Sequence, residues 1–231
     1  MYKNKYFSVL GDSISTLAGY NPPQCAVYYD WEHKRMADIF APEDTWWGKV
    51  IDALQGKLLV NNSYSGSTVS KHPSYEVPSY GCSDARTADL GAGISPDVVM
   101  IFMGFNDWGS GVTLQPQGEE KAHYSFAGAY EIMLDKIRKN YPQAEIWCLT
   151  LPRSCLQRDS QREIPVLRAG RHIQEFNAVI RACAEKAGCK TVDLWNPAVP
   201  YDTIDGFHPN AAGMAVIARC VLENVERWCA E

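Results

Sequence analysis

Apolar runs of five to seven residues alternate along the chain with longer stretches in which apolar side chains recur every three or four positions. The first run is Tyr6–Leu10, stopped by Gly11. The second is Lys57–Asn61, the third Asp97–Met103, the fourth Glu145–Leu151 and the fifth Lys190–Leu194. Asp97–Met103 is apolar almost throughout, which suits a strand covered on both faces of a parallel sheet. Between the runs lie predicted helices over Thr45–Leu54, Ser83–Leu90, Ser125–Asn140, Gly170–Ala187 and Pro209–Trp228. In Ser125–Asn140 the apolar positions Tyr130, Met133, Leu134 and Ile137 fall on one helical face. Asp44 or Thr45 is placed to cap the first helix, Gly188 to end the fourth, and Pro209 to open the last.

Five strands alternating with helices predict a doubly wound parallel sheet. The chain has 231 residues, and no repeat, low-complexity tract or linker-like break interrupts it, so a single domain over 1–231 is expected. In open parallel sheets ligands bind at the carboxyl ends of the strands. Attention therefore falls on the residues after Leu10, after Asn61 and after Met103.

Each of those strand ends carries a polar cluster. After the first comes Gly11-Asp12-Ser13-Ile14-Ser15, which sets a hydroxyl at a strand-to-helix turn among amides that favour negative charge. Asp and Ser also cap turns for purely structural reasons. After the second comes Asn62-Ser63-Tyr64-Ser65-Gly66, where a glycine lets backbone approach a ligand or simply completes a turn. After the third comes Gly104-Phe105-Asn106-Asp107, whose asparagine is an amide donor for a reacting oxygen or a helix cap. Near the end of the sequence stands Asp205-Gly206-Phe207-His208-Pro209. A carboxylate three residues before a histidine can reach its Nδ1–H and hold the ring in one tautomer. The other histidines, His33, His72, His123 and His172, lack such surroundings.

Composition narrows the function. Apolar residues make up 46% and charged residues 21%, and the net charge of -5 provides no basic footprint for nucleic acid. No stretch is long enough to span a membrane, and the start, MYKNKYFSVLGDS, has no signal-peptide pattern, so a cytoplasmic protein without membrane insertion is expected. The eight cysteines contain no C-x-x-C pair and several sit in apolar runs, which favours buried free thiols over bridges or a zinc knuckle. No G-x-x-x-x-G-K-[ST] or G-x-G-x-x-G motif supports a phosphate- or flavin-binding module, and no H-E-x-x-H supports a metal-dependent hydrolase. A paired-carboxylate glycosidase would leave Ser13 and His208 unexplained.

Taken together, the four clusters resemble the SGNH (GDSL-like) hydrolase family, marked by blocks contributing Ser, Gly, Asn and His in that order. The matching positions are Ser13 in GDSIS, Gly66 in NNSYSGS, Asn106 in GFND and His208 in DGFH. The first block departs from GDSL, and Ser-Tyr-Ser precedes Gly66 where many members have another glycine. The resemblance implies an α/β fold, a flavodoxin-like three-layer α/β/α sandwich with a five-stranded parallel sheet. It also implies a serine esterase: Ser13 as nucleophile, His208 as base, Asp205 orienting His208, and an oxyanion hole from the Ser13 and Gly66 N–H groups and the Asn106 amide. Such an enzyme needs no cofactor and no metal. Its partner is a small-molecule ester, with acetylated sugars preferred because no long apolar lid segment is visible. Lysophospholipase or acyl-thioesterase action on longer chains is the alternative, and a non-catalytic flavodoxin-like binding module the other. Two segments are expected to border the site: 20–44, with Tyr20, Tyr28, Tyr29 and Trp31, and Trp108–Tyr124. Arg86 and Arg153 are read as contacts to a polar leaving group or as surface charges.

Overall fold

A computed structural model describes residues 1–71, 79–156, 159–195 and 200–230. In chain order the elements are β1 (Tyr6–Gly11), a 3-10 turn (Ser13–Ser15), α1 (His33–Ala37), a second 3-10 turn (Pro42–Asp44), α2 (Trp46–Ala53) and β2 (Lys57–Ser63). There follow α3 (Asp84–Ala88), β3 (Val98–Phe102), α4 (Phe105–Gly109), a 3-10 turn (Glu119–Tyr124), α5 (Phe126–Asn140) and β4 (Glu145–Leu149). The remainder is β5 (Ser154–Leu156), β6 (Asp159–Glu163), β7 (Leu167–Arg168), β8 (Arg171–His172), α6 (Ile173–Lys186), β9 (Lys190–Val192), β10 (Tyr201–Thr203) and α7 (Ala211–Ala230).

The expected five-stranded sheet forms, all parallel, in the order β2-β1-β3-β4-β9. This is the flavodoxin-like order, with the switch point between β1 and β3. Every residue of β3 is buried, so both faces of the sheet must be covered. The pair α2 and α7 packs together, and α5 packs against both α3 and α6. Burial of apolar side chains drives this, at about 1.5–3 kcal/mol for each large one. In α7 the inward stripe is Met214, Ile217, Ala218, Val221 and Val225. In α5 it is Phe126, Tyr130, Met133, Leu134 and Ile137.

Caps fix the helix starts. Thr45 Oγ1 accepts the Gly48 N–H at 3.0 Å, and Ser125 Oγ accepts that of Gly128 at 3.3 Å. Two starts differ from expectation. The last helix begins at Ala211, because Asn210, not Pro209, caps it through the Gly213 N–H at 2.9 Å. The helix expected from Gly170 begins at Ile173, because His172 caps it in a box with Glu175. The polar stretch before α6 holds four short strands that the apolar pattern does not announce: β5 and β6, which form a small sheet with β10 from beyond β9, and the pair β7-β8. Ala169 and Gly170, at φ +48° and +73°, make the tight turn between β7 and β8. Positive φ at both central residues matches the twist of a two-residue hairpin.

Candidate active site

Strand register brings the clusters together. Gly11 lies opposite Ser63 of β2 on one side and Phe102 of β3 on the other. The three segments carrying Ser13, Gly66 and Asn106 therefore leave the sheet at one level.

The first is a turn held on all sides. Asp12 Oδ1 accepts the Ile14 N–H at 3.1 Å, and Thr16 Oγ1 donates to the Ser13 carbonyl at 2.8 Å. Asn61 Nδ2 and Trp47 Nε1 both donate to the Ser15 carbonyl, at 2.8 and 3.0 Å. Ser13 is thus buried apart from its face toward the cavity, and Asp12 acts in the local turn as expected.

Four residues form the second turn. Ser67 N donates to the Tyr64 carbonyl at 3.1 Å, and Gly66 has φ +79°. That is the third position of a type II turn, where glycine avoids the left-handed penalty. On the third, Gly104 at φ +132° turns β3 directly into α4. This short helix lies where the apolar pattern predicts none. It projects Asn106 Nδ2, one of whose hydrogens goes to the Ser67 carbonyl at 2.9 Å. The second hydrogen remains for the cavity. The neighbouring Asp107 is fully buried and accepts from Val69 N, Ser70 N and Ser70 Oγ at 2.8, 3.0 and 2.7 Å. Burial pushes its carboxyl up to about 6, against the pull of those bonds.

His208 rides on a loop stitched at both ends. Thr203 bridges Pro209, and Ile204 N donates to the His208 carbonyl at 3.0 Å. Thr203 Oγ1 donates to the Cys155 carbonyl and accepts the Gly206 N–H, at 2.6 and 2.9 Å. His208 Nε2 lies 2.8 Å from Ser13 Oγ, and Nδ1 lies 2.6 Å from Asp205 Oδ2. Asp205 Oδ1 accepts the His208 and Phe207 N–H groups at 2.8 and 3.0 Å. Partial burial pushes the Asp205 carboxyl up, but the bonds from the His208 ring and the two amides more than offset it. The carboxyl is held well below its usual range. The proton on Nδ1 then leaves Nε2 as the acceptor for the Ser13 hydroxyl.

Ser13, Asn106 and His208 share a cavity of about 250 Å³ with Ile14, Phe105, Gly109, Ser110, Arg168 and Phe207. Gly66 is not part of that lining. Its turn meets the site through Ser67, which Asn106 holds. Of the two bordering segments, Trp108–Tyr124 contributes Gly109 and Ser110 to the lining. Segment 20–44 contributes Tyr28, whose hydroxyl donates to Asp205 Oδ2 at 2.9 Å.

The reading of Arg86 is corrected. Arg86 is neither at the cavity nor on the surface. It is buried and donates to Ser67 Oγ and to the Gly11 and Asn62 carbonyls at 2.8, 2.8 and 2.9 Å, and also to the Ser79 carbonyl. It ties the ends of β1 and β2 together. Arg153 pairs with Glu163 at 3.1 Å. The arginine at the cavity is Arg168, on the β7–β8 hairpin and 5.0 Å over the Phe207 ring. Its two-residue strand left no period to read.

A hydroxyl after β1, and an imidazole and a carboxylate on the loop after β10, thus stand in file beside a parallel α/β sheet. The comparisons supply the class. The GDSL-like lipase/acylhydrolase family matches residues 5–225, and the chain belongs to that family. A solved structure described as a GDSL-like lipase, from Bacteroides uniformis, is 30% identical with TM-score 0.74, over 97% of this chain and 96% of that one. Another so described, from Bacteroides ovatus, is 27% identical with TM-score 0.74, over 97% and 99%. The fold also matches a carbohydrate esterase family 2 enzyme with a carbohydrate-binding domain from Corynascus thermopiles, at 18% identity and TM-score 0.59, over 98% and 68%. No curated protein matches the chain. Among the described residues no helix is long and apolar enough to cross a membrane, and no group of three or more His, Cys, Asp or Glu side chains is arranged to hold a metal ion. All eight cysteines are free, five of them buried.

Proposed function

We propose that the protein is a serine esterase working through an acyl-enzyme, with Ser13 as nucleophile, His208 as general base and acid, and Asp205 orienting His208. The observation that carries this reading is the unbroken file from Ser13 Oγ through His208 to Asp205, at 2.8 and 2.6 Å. His208 Nε2 takes the Ser13 proton as Oγ attacks the ester carbonyl. The oxyanion is held by the Ser13 N–H and the free hydrogen of Asn106 Nδ2, with the Gly66 N–H assigned as third donor from the turn that Asn106 ties to the edge of the site through Ser67. Collapse breaks the bond to the alcohol oxygen, which takes the proton from Nε2. Water then attacks the acyl group with His208 again as base, and the acid leaves Ser13 free.

The acyl group is small, acetyl above all, and the alcohol is carbohydrate-like. A cavity of about 250 Å³ lies below the roughly 300–1,000 Å³ of pockets for drug-sized ligands. Phe105 and Phe207 supply apolar faces for an acyl group or a sugar ring, and Arg168 and Ser110 supply polar groups at its edge. The likeness of fold to a family 2 carbohydrate esterase points the same way. The same reading takes 1–231 as one domain, needs no cofactor or metal, and places the protein in the cytoplasm, in keeping with eight free thiols.

Initial rates on p-nitrophenyl esters from acetate to palmitate test the acyl size. The expected profile peaks at acetate and falls steeply with length. A peak at octanoate or longer overturns the small-acyl assignment in favour of lysophospholipase or thioesterase action.

A further inference from the structure

The strongest feature outside the Ser–His–Asp file comes from segment 20–44. The Tyr28 ring lies flat on the His208 imidazole, with centroids 3.4 Å apart and planes 9° apart. The Tyr28 hydroxyl reaches Asp205 Oδ2, the same oxygen that receives His208 Nδ1–H. One side chain therefore touches both the base and its carboxylate.

Both loops of the site hold it there. Tyr28 N donates to Thr16 Oγ1 at 2.9 Å, and Thr16 Oγ1 in turn donates to the Ser13 carbonyl. The adjacent Tyr29 is buried and donates its hydroxyl to the Pro209 carbonyl, one residue past His208, at 2.7 Å. Behind Tyr28 the His33 ring sits 4.4 Å away, fixed by Asp30. A tyrosine that served only to fill space would need none of these bonds.

We infer that Tyr28 is a positioning residue for the His208–Asp205 pair: its hydroxyl fixes the carboxylate and its ring both aligns the imidazole and stabilises the imidazolium formed when Ser13 is deprotonated. The inference rests on the reading of Ser13 and His208 as nucleophile and base. The two contacts act in opposite directions on the proton at His208. A donor on Asp205 Oδ2 weakens that oxygen as an acceptor for Nδ1–H, and its removal strengthens the carboxylate's hold on the imidazolium. A ring face at 3.4 Å, well inside the roughly 6 Å range of a cation–π contact, favours the charged imidazole. The other ionisable groups facing His208 are Ser13 with buried Asp12 beneath it, and Arg168 across the cavity. His33, paired with Asp30, packs against the Tyr28 ring.

The experiment is the pH profile of kcat/KM on p-nitrophenyl acetate for wild type, Tyr28→Phe, Tyr28→Leu and Ser13→Ala. Phe keeps the ring and removes the hydroxyl. It is expected to raise the acid limb by about half a pH unit and to lower the plateau about threefold. Leu removes the ring as well. Relative to Phe it is expected to bring the limb back down by about half a unit and to lower the plateau about tenfold further. Opposite displacements of the limb are not produced by general loosening of the fold, and the Phe variant carries the test alone if the Leu variant does not fold. A wild-type profile in Tyr28→Phe and Tyr28→Leu, with Ser13→Ala inactive, overturns the role of Tyr28 alone. An active Ser13→Ala overturns the reading on which it rests.

Discussion

Replacing Asp12 by Asn should make the protein more stable at high pH and leave that advantage much smaller at low pH. Asp12 is buried, with Oδ1 on the Ile14 N–H and Oδ2 without a hydrogen-bond partner among the described residues. Burial raises its carboxyl pKa from 3.8 to about 7, helped by the charge of Asp107 and opposed by the Ile14 N–H and Arg86. The folded state therefore holds this proton more tightly than the unfolded chain does. The stability from that proton is fully present below pH 3.8 and is lost as pH rises through about 7. At about 1.4 kcal/mol per unit, roughly three units amount to about 4 kcal/mol, of which about 2–3 kcal/mol is lost between pH 5 and 8. Asn is neutral throughout, keeps the oxygen for Ile14 and places an N–H₂ where Oδ2 has no partner. Comparing the variant with wild type at each pH cancels the other titrating groups. In urea unfolding the midpoint gap should widen by about 1 M from pH 5 to 8, with a slope near 3 kcal/mol per M. A gap that stays constant, or narrows toward pH 8, refutes the reasoning.

Three further outcomes follow from the same geometry. Asn106→Ala should lower kcat on p-nitrophenyl acetate about 100- to 1,000-fold with little change in KM, as loss of an oxyanion donor does; a wild-type rate would remove Asn106 from the oxyanion hole. Arg86→Met strips the donor from the Gly11, Asn62 and Ser79 carbonyls. The Gly11 carbonyl keeps the Tyr64 N–H and the Ser79 carbonyl keeps Ser67 Oγ, but at about 1.5–3 kcal/mol for each hydrogen bond lost from a charged donor the change should destabilise by about 3 kcal/mol or more, read as a lower urea midpoint. Arg168→Ala should raise KM for an acetylated sugar several-fold while leaving kcat/KM on p-nitrophenyl acetate near wild type, and equal losses on both substrates would assign Arg168 to the hairpin's structure instead.

The sheet was legible because its strands are buried on both faces. Val98–Phe102 contains no polar residue to break the run, and such a run between turn formers has few other readings. The strand ends followed from the strands and drew attention to the clusters holding Ser13, Gly66 and Asn106, whereas the roles of those residues and of His208 came from the resemblance of the four blocks to the SGNH family. Elements that take their shape from tertiary bonds were hidden. In α4 the five residues include Asn106, Asp107 and Gly109, all turn formers. The helix exists because Asp107 is anchored on Val69 and Ser70 and because Trp108 Nε1 donates to the Arg171 carbonyl at 3.0 Å. The β7–β8 hairpin has two residues per strand and no period, and only the turn at Ala169-Gly170 marks it. Tyr28 was visible as an aromatic in a bordering segment, but nothing in its neighbours connects it to a histidine 180 positions away. Arg86 looked like any charged residue on a short helix. Its role depends on the Gly11 and Asn62 carbonyls, set in place by the strand register.

The central claim is that the Ser13 hydroxyl is the attacking group. It is tested most directly by treating the protein with a fluorophosphonate and mapping the modified peptide by mass spectrometry. A single adduct on Ser13, formed as activity is lost and absent from Ser13→Ala, is the predicted result. Loss of activity with Ser13 unmodified and the adduct on another residue would contradict it.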